Sequence, residues 1–176
     1  MKKMIKVGLG LLFVTVLAAC NDKAETAVEA EASANEAAVV NTVTETAVYE
    51  LEQPGVTIKM TIFGENDKVT KQITNSTIEY SAIGASDAEQ AKTILDEVTN
   101  NTDYGAIQGI TYKMEYGPTS AQESIEVDLT KADLKQLSEL PGSAFEGNPE
   151  QGISFSATGT LLESSGFTKL SEETKD

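Results

Sequence analysis

The chain has 176 residues, with 28 acidic and 13 basic residues, a formal net charge of -15, one cysteine and no histidine. This charge excludes the basic surface that nucleic-acid binding requires, and it excludes a polybasic grip on anionic lipid headgroups. Without histidine there is no Ser-His-Asp triad and no imidazole metal ligand. We therefore expect no nucleic-acid partner, no metal and no other cofactor.

The N-terminal segment has the features of a bacterial lipoprotein signal. Three lysines within residues 1–6 precede residues 7–19, which are apolar apart from one threonine and carry no charge. This run is too short for a membrane-spanning helix of about 20 residues, but it fits a signal h-region. It ends in Leu17-Ala18-Ala19-Cys20. The sequence predicts a signal peptide over residues 1–19, cleavage between Ala19 and Cys20, and lipidation of Cys20; an uncleaved N-terminal anchor is the alternative.

The predicted lipid determines where the mature protein lies. Lipoprotein processing attaches a diacylglyceryl group, and two acyl chains anchor a protein stably where one does not. Cleavage would remove three lysines and no acidic residue, leaving 10 lysines against 28 acids and a net charge of -18. Lipidated Cys20 would leave no thiol for a disulfide or a nucleophile. We expect the protein on the extracytoplasmic face of the cell membrane, held there by membrane lipid through diacylglyceryl-Cys20.

Composition divides the remaining chain into three parts. Residues 20–47 contain the lipidated cysteine and an Ala/Glu-rich stretch without aromatic residues, which buries too little apolar surface to offset ordering entropy. We expect this stretch to be a disordered linker. Aromatic and β-branched residues then mark a folded domain over residues 48–170. Residues 171–176 are predicted to be a polar tail.

The first half of the domain shows the alternation of β-strands. Residues 49–53 and 56–63 are predicted strands, joined by a tight turn at Pro54-Gly55. A third, less regular strand is predicted over residues 69–80, with a break at Asn75-Ser76. The oxygen-rich Glu65-Asn66-Asp67 lacks the spacing of a calcium-binding loop, and we interpret it as a turn.

A helix should follow the third strand. Ser86 and Glu89 have the spacing of a capping box. The residues after them form an apolar stripe at helical spacing, namely Ala91, Ile94, Leu95 and Val98. The helix is predicted to end near Asn100-Asn101, and the oxygen-rich segment 100–103 is again interpreted as a turn.

Two further strands are predicted at residues 110–116 and 124–129, with a turn at Gly117-Pro118 between them. Tyr112, Met114 and Tyr116 share one face of the first strand. Residues at this spacing are typical of a core or sheet face, and a ligand groove is the alternative. On the second strand, Glu126 and Asp128 should point outward, opposite Ile125, Val127 and Leu129.

The C-terminal part should contain helices. Thr130 and Asp133 predict the start of a second helix, Leu134, Leu137 and Leu140 its buried side, and Pro141-Gly142 its end. A third helix is predicted over residues 157–165, stopped by Gly166. Pro118, Phe145 and the loop around Gly147 are a candidate pocket mouth near the second helix. Short turns between adjacent strands predict an α+β fold: an antiparallel sheet of about five strands with two to three helices packed on one face.

Four stretches resemble a known family. They are residues 129–142 (LTKADLKQLSELPG), 53–57 (QPGVT), 109–113 (GITYK) and 163–167 (ESSGF). They resemble the YehR-like family of small bacterial lipoproteins, which is defined by a domain of unknown function, over about residues 48–168. The resemblance implies an α+β domain on a lipid anchor. It supplies no catalytic motif, so no site residue is carried over.

These observations favour a membrane-anchored cell-envelope lipoprotein that is not an enzyme. We expect the domain to be an interaction or accessory module with an envelope protein partner. A small-ligand or cation-binding lipoprotein is the alternative, and a carboxylate-based hydrolase is a remote one. A further hypothesis is that the released leader segment, residues 11–19, acts as a peptide signal.

Overall fold

The structure is a computed structural model that describes residues 17–18, 42–99, 102–139, 145–146 and 152–175. These residues form eight strands, four α-helices and one 3-10 turn. In chain order they are β1 Leu17–Ala18, β2 Thr44–Gln53, β3 Val56–Glu65, β4 Lys68–Glu79, α1 Tyr80–Ile83, α2 Ala88–Val98, the 3-10 turn Tyr104–Ala106, β5 Ile110–Tyr116, β6 Ser120–Asp128, α3 Leu134–Ser138, β7 Phe145–Glu146, α4 Phe155–Ser164 and β8 Thr168–Lys175.

Six strands form one antiparallel sheet in the order β5-β6-β4-β3-β2-β8. β1 and β7 form a separate parallel pair of two residues each. The antiparallel sheet and the α+β class predicted from the sequence are confirmed, but the strand count of about five is wrong for the large sheet. The sixth strand is β8, which pairs with β2 along the segment where a polar tail was predicted.

β8 was missed because every one of its residues is exposed, so its sequence shows no apolar alternation. Its strand conformation depends on backbone pairing with β2 at the edge of the sheet, where polar and charged residues are common. β2 itself begins at Thr44, so residues 44–47 of the predicted linker pair with β3. The first difference arises from pairing with a segment more than a hundred residues away, and the second from the extension of the β2–β3 hairpin beyond the apolar residues.

The two predicted turns of the first three strands are present. Gly55 has a φ of 75°, and a Cβ there would lie 2.7 Å from Cβ of Ala82 on α1, so the turn needs a glycine. Asn66 and Asp67 both have positive φ, at 52° and 59°. Two such residues between paired strands match a type I′ hairpin turn, in which Asn and Asp are well tolerated.

The predicted break at Asn75-Ser76 is wrong, because β4 runs without interruption from Lys68 to Glu79. Its residues do alternate, but the buried side carries polar side chains, which hides the pattern from a hydrophobicity reading. The strand also ends one residue earlier than predicted, where α1 begins at Tyr80. This short helix brings the described helices to four, against two to three predicted.

The helix starts are each shifted from the predicted residue. Asp87, not Ser86, caps α2, and its Oδ1 accepts a hydrogen bond of 2.9 Å from the Gln90 backbone N–H. Asp133, not Thr130, caps α3. α4 begins two residues before the prediction, with Ser154 as its cap. The shifts are one residue for α2, three for α3 and two for α4.

The hairpin turn between β3 and β4 holds the start of α4. Asp67 Oδ1 accepts a hydrogen bond of 2.8 Å from the Ser156 backbone N–H, and Oδ2 accepts one of 2.9 Å from the Ser154 hydroxyl. Burial raises the pKa of Asp67, but these hydrogen bonds outweigh it and lower the pKa. The ionised turn residue therefore occupies the N-terminus of α4, where backbone N–H groups otherwise lack partners.

The buried side chains lie on one face of the large sheet, called the inner face below. Three clusters cover it. The first joins β2 and β3 to α4, the second joins β5 and β6 to α3 and the 3-10 turn, and the third joins β4 and β6 to α1 and α2. On the opposite outer face, the strand positions are half-buried or exposed. The helices thus pack on one face, as predicted.

Candidate functional site

β6 places one carboxyl group on the inner face. Side chains alternate along a strand, so Glu123 faces the same way as Ala121, Ile125 and Val127, all of which are buried. Only 5% of Glu123 is exposed. The predicted outward orientation of Glu126 and Asp128 is correct, but the predicted strand begins at Ser124 and so leaves out Glu123, whereas β6 begins at Ser120. Extending the same alternation back to Ser120 would have found it.

The neighbours of Glu123 on β4 are also polar. Gln72, Thr74 and Ser76 are each buried on the inner face, at 4%, 4% and 6% exposure. Ser76 lies directly opposite Glu123 in the strand register. Gln72 Nε2 donates a hydrogen bond of 3.1 Å to Thr74 Oγ1. The middle of the sheet is therefore polar where the three apolar clusters meet.

Glu123 is hydrogen-bonded by two hydroxyl groups, those of Ser76 and Tyr112. Tyr112 comes from β5 and lies diagonally across from Glu123. Its ring contacts that of Tyr104, with ring centroids 5.5 Å apart and planes tilted by 41°. No described residue hydrogen-bonds the second carboxyl oxygen, Oε1, although it is buried. Such an orphaned oxygen is uncommon in folded proteins and is costly when charged.

The surroundings favour the protonated form of this carboxyl group. Burial raises the pKa of Glu123, and the hydrogen bonds from Ser76 and Tyr112 only partly oppose it. Burial, together with the Glu123 charge, also raises the pKa of Tyr112 and of Tyr104. Asp128, on the outer face of the same strand, is the opposite case: hydrogen bonds from Lys131 and Thr130 lower its pKa to about 2.

The residues predicted as a groove are divided between two parts of the inner face. Tyr112 joins Glu123 and the cluster around the 3-10 turn, whereas Met114 and Tyr116 pack against the cluster under α2. All three are half-buried. Their placement therefore fits the core or sheet-face interpretation.

Pro118 lines an open cleft of about 530 Å³ beside Tyr80, Ala85 and Ser86. None of the lining residues belongs to α3, so Pro118 does not lie at the predicted mouth near the second helix. Gly147 and the side chain of Phe145 lie outside the described residues. So do Cys20, Ala19, Leu140 and Pro141-Gly142, and their predicted roles stay predictions.

The first oxygen-rich segment, residues 65–67, is a turn as predicted, and only residues 102 and 103 of the second segment are described. Glu65 ends β3, and Asn66-Asp67 form the hairpin turn. Asn100 and Asn101 lie outside the described residues, and Asp103 precedes the 3-10 turn. In the described ranges, no three His, Cys, Asp or Glu side chains come together as metal ligands. No helix among the described residues is long and apolar enough to cross a bilayer.

These features define a small α+β domain built on one antiparallel sheet, with a carboxyl group buried on its inner face. Residues 45–168 match the family DUF1307, described as a protein of unknown function, and the chain belongs to this family. The resemblance seen in the sequence is thus confirmed.

The similar proteins are named lipoproteins. An uncharacterized lipoprotein of Listeria monocytogenes is 32% identical over 174 residues, which is 97% of this chain and 99% of that relative. The uncharacterized lipoprotein YehR of Escherichia coli is 29% identical over 117 residues, 66% of this chain and 75% of that relative. The NMR structure of E. coli YehR superposes with a TM-score of 0.62 at 28% identity, covering 74% of this chain and 94% of that chain.

Replacing Glu123 with glutamine should change how stability depends on pH. A carboxyl group whose pKa is raised by folding contributes stability that is present below its unfolded pKa and is lost as pH rises through its folded pKa. We expect the Glu123→Gln variant and the wild type to have similar free energies of unfolding near pH 4.5, the ordinary pKa of glutamate. Above that pH, the variant should become more stable than the wild type, by up to about 1.4 kcal/mol for each pH unit. Urea unfolding at several pH values measures this difference.

The matched control is Glu126→Gln, which removes a half-exposed carboxyl group from the outer face of the same strand. Its stability difference from wild type should stay small across the same pH range. The raised pKa of Glu123 would be contradicted if the stability difference between Glu123→Gln and wild type did not change with pH. It would also be contradicted if Glu126→Gln showed the same change with pH.

Proposed function

We propose that this chain is a lipid-anchored lipoprotein of the cell envelope, held on the extracytoplasmic face of the membrane by diacylglyceryl-Cys20. The observation that carries the proposal is the segment Leu17-Ala18-Ala19-Cys20 at the end of a short apolar run. The relative from L. monocytogenes supports it, because that protein is named a lipoprotein and aligns over nearly the full length of both chains.

We further propose that the domain is a non-enzymatic interaction or accessory module. The chain has no histidine, and the proposed anchor uses its single cysteine. The carboxyl group with the most unusual surroundings, Glu123, is buried and bound by hydroxyl groups, whereas a general acid must reach its substrate. Among the described residues, the helices leave the outer face of the sheet uncovered, with Val48, Thr61 and Ile73 in one row across three strands.

The anchor is tested by the Cys20→Ala variant expressed in a bacterium that processes lipoproteins. The wild-type protein should fractionate with membranes and show the intact mass of residues 20–176 plus a diacylglyceryl group. The variant should lack that added mass, because no thiol remains to accept lipid. An unmodified wild-type protein that is soluble without detergent would contradict the proposed anchor.

The interaction role is tested by photo-crosslinking on intact cells. A benzoylphenylalanine placed at Thr61 probes the outer face, and one placed at the exposed Gln90 on α2 probes the opposite side of the domain. We expect a discrete, light-dependent adduct with one envelope protein from at least one position, lost in the Cys20→Ala background. Absence of an adduct from both positions would count against a stable partner.

A further inference from the structure

We propose that the open edge of β5 pairs with the same edge of a second copy of this chain, so that two domains share one continuous antiparallel sheet. β5 lies at the end of the large sheet and pairs with β6 alone among the described strands. A contact of this kind is self-complementary about a two-fold axis, as in most homodimers. The inference goes beyond the anchoring and interaction roles, because it assigns an occupant to the sheet edge.

Alternate residues of β5 direct their backbone groups away from β6. In an antiparallel pair, residues that exchange both hydrogen bonds alternate with residues that exchange none. Gly109, just before β5, accepts a hydrogen bond of 2.7 Å from the Asp128 N–H, and Gly117, just after β5, donates one of 2.9 Å to the Ser120 carbonyl. The odd-numbered residues of β5 therefore bond β6. The residues whose backbone N–H and C=O groups point to the open edge are Tyr112, Met114 and Tyr116.

The two edges of the large sheet differ. Every residue of β8 is exposed, four of them are charged, and its register with β2 shifts between Val48 and Tyr49. Charged side chains and bulges protect a sheet edge from pairing. β5 instead pairs with β6 without a register shift, and Tyr112, Met114 and Tyr116 are half-buried along its inner side. β5 is thus the regular and partly apolar edge of the sheet.

Charge selects one register for the pairing of two β5 edges. The outer side of β5 carries Thr111, Lys113 and Glu115, all exposed. When Met114 lies opposite the partner's Met114, each Lys113 lies opposite the partner's Glu115. A shift by two residues keeps the open backbone groups opposed, but it places Lys113 against the partner's Lys113 in one direction and Glu115 against the partner's Glu115 in the other. Opposite charges across neighbouring strands stabilise the pair, and like charges destabilise it.

The same register brings the open backbone groups and the inner side chains together. Met114 would exchange two hydrogen bonds with the partner's Met114, and Tyr112 would do so with the partner's Tyr116 on either side. These side chains are only half-buried in one domain, and cross-strand contacts of aromatic and methionine side chains are favourable. The helices of both copies would lie on the same side of the joined sheet.

The ion pair that Lys113 makes within its own strand does not oppose this contact. Lys113 pairs with Glu115, and the two side chains are 68% and 62% exposed. An ion pair this exposed contributes little to stability. Both side chains can therefore turn to the partner, and the dimer gives each of them a second oppositely charged neighbour.

Charge reversal tests the contact through the mass of the full lipidated protein, measured by sedimentation equilibrium in non-ionic detergent with micelles in excess over protein. We expect the wild type to be dimeric at about 0.1 mM, where a dimer with a micromolar Kd is largely assembled. Lys113→Glu and Glu115→Lys should each weaken the dimer about tenfold, because each places two like-charged pairs across the contact.

Rescue by mixing separates a lost contact from damage within one domain. An equimolar mixture of Lys113→Glu and Glu115→Lys should form heterodimers about as tight as the wild-type dimer, because the substituted strands then have opposite charges. The double variant Lys113→Glu/Glu115→Lys should associate with itself as the wild type does. The matched controls are Lys59→Glu, exposed on β3, and Lys169→Glu on the opposite edge strand β8. Both should leave the dimer unchanged.

Cysteine substitution tests the register on isolated membranes oxidised with diamide. Met114→Cys should form a disulfide-linked dimer, because residues opposed in this way have Cα atoms about 5.5 Å apart, within disulfide range. Lys113→Cys and Glu115→Cys should crosslink when they are expressed together. Neither should crosslink alone, because diagonal neighbours lie about 7–8 Å apart. The wild-type protein is the control and should give no crosslink.

The proposal is overturned if the wild type stays monomeric at about 0.1 mM, where a micromolar dimer would be assembled. It is also overturned if Lys59→Glu or Lys169→Glu weakens association as much as Lys113→Glu does, because the loss would then not depend on β5. Failure of the mixture to associate, or crosslinking of Lys113→Cys or Glu115→Cys alone without Met114→Cys, would contradict the register and with it the charge argument.

Discussion

Burying the Glu123 carboxyl group between three strands costs free energy, and the neighbouring residues reduce that cost. Ser76 and Tyr112 each provide a hydroxyl to the carboxyl group, and the polar stripe of Gln72, Thr74 and Ser76 runs beside it on β4. An apolar residue at the same position would avoid the penalty altogether. The inner face of the sheet therefore carries a titratable group at its centre, where the three apolar clusters meet.

The two faces of the sheet serve different purposes in this account. The inner face holds the helices and the buried carboxyl group, so protonation of Glu123 is coupled to the packing of the domain. The outer face stays uncovered by the described helices. A lipid on Cys20 would fix the protein to the membrane, and the domain would present its outer face to the envelope. Anchoring and partner contact would then use separate parts of the chain.

Much of this fold could be predicted from sequence, and the failures share a physical cause. The hairpin at Pro54-Gly55, the strand at residues 110–116 and the helix after Asp87 are encoded by local patterns of alternation, turn residues and helix caps. β8 has no such pattern, because its conformation depends on pairing with β2 more than a hundred residues away. The sequence of β4 predicts a break at Asn75-Ser76 because three of its buried residues, Gln72, Thr74 and Ser76, are polar.

The same limit applies to the candidate sites. The alternation of β6 predicts the position of Glu123 if the strand is extended two residues towards its N-terminus, because Ala121 and Ile125 flank Glu123 on the buried face. The contacts of Asp67 with Ser154 and Ser156 could not be predicted, because they join a hairpin turn to a helix almost ninety residues further along the chain. Local sequence identifies a strand and its two faces, whereas the partners of a buried polar group come from tertiary structure.

The most direct test of the central claim is a carbon-13 NMR titration of the glutamate side-chain carboxyl groups in the full-length protein, with Glu123 assigned by its absence in Glu123→Gln. The carboxyl shift reports protonation at each site without reference to stability. We predict that Glu123 keeps its proton to a pH above 4.5, the ordinary glutamate value, because its carboxyl group is buried. Titration of Glu123 together with the exposed glutamates would contradict it.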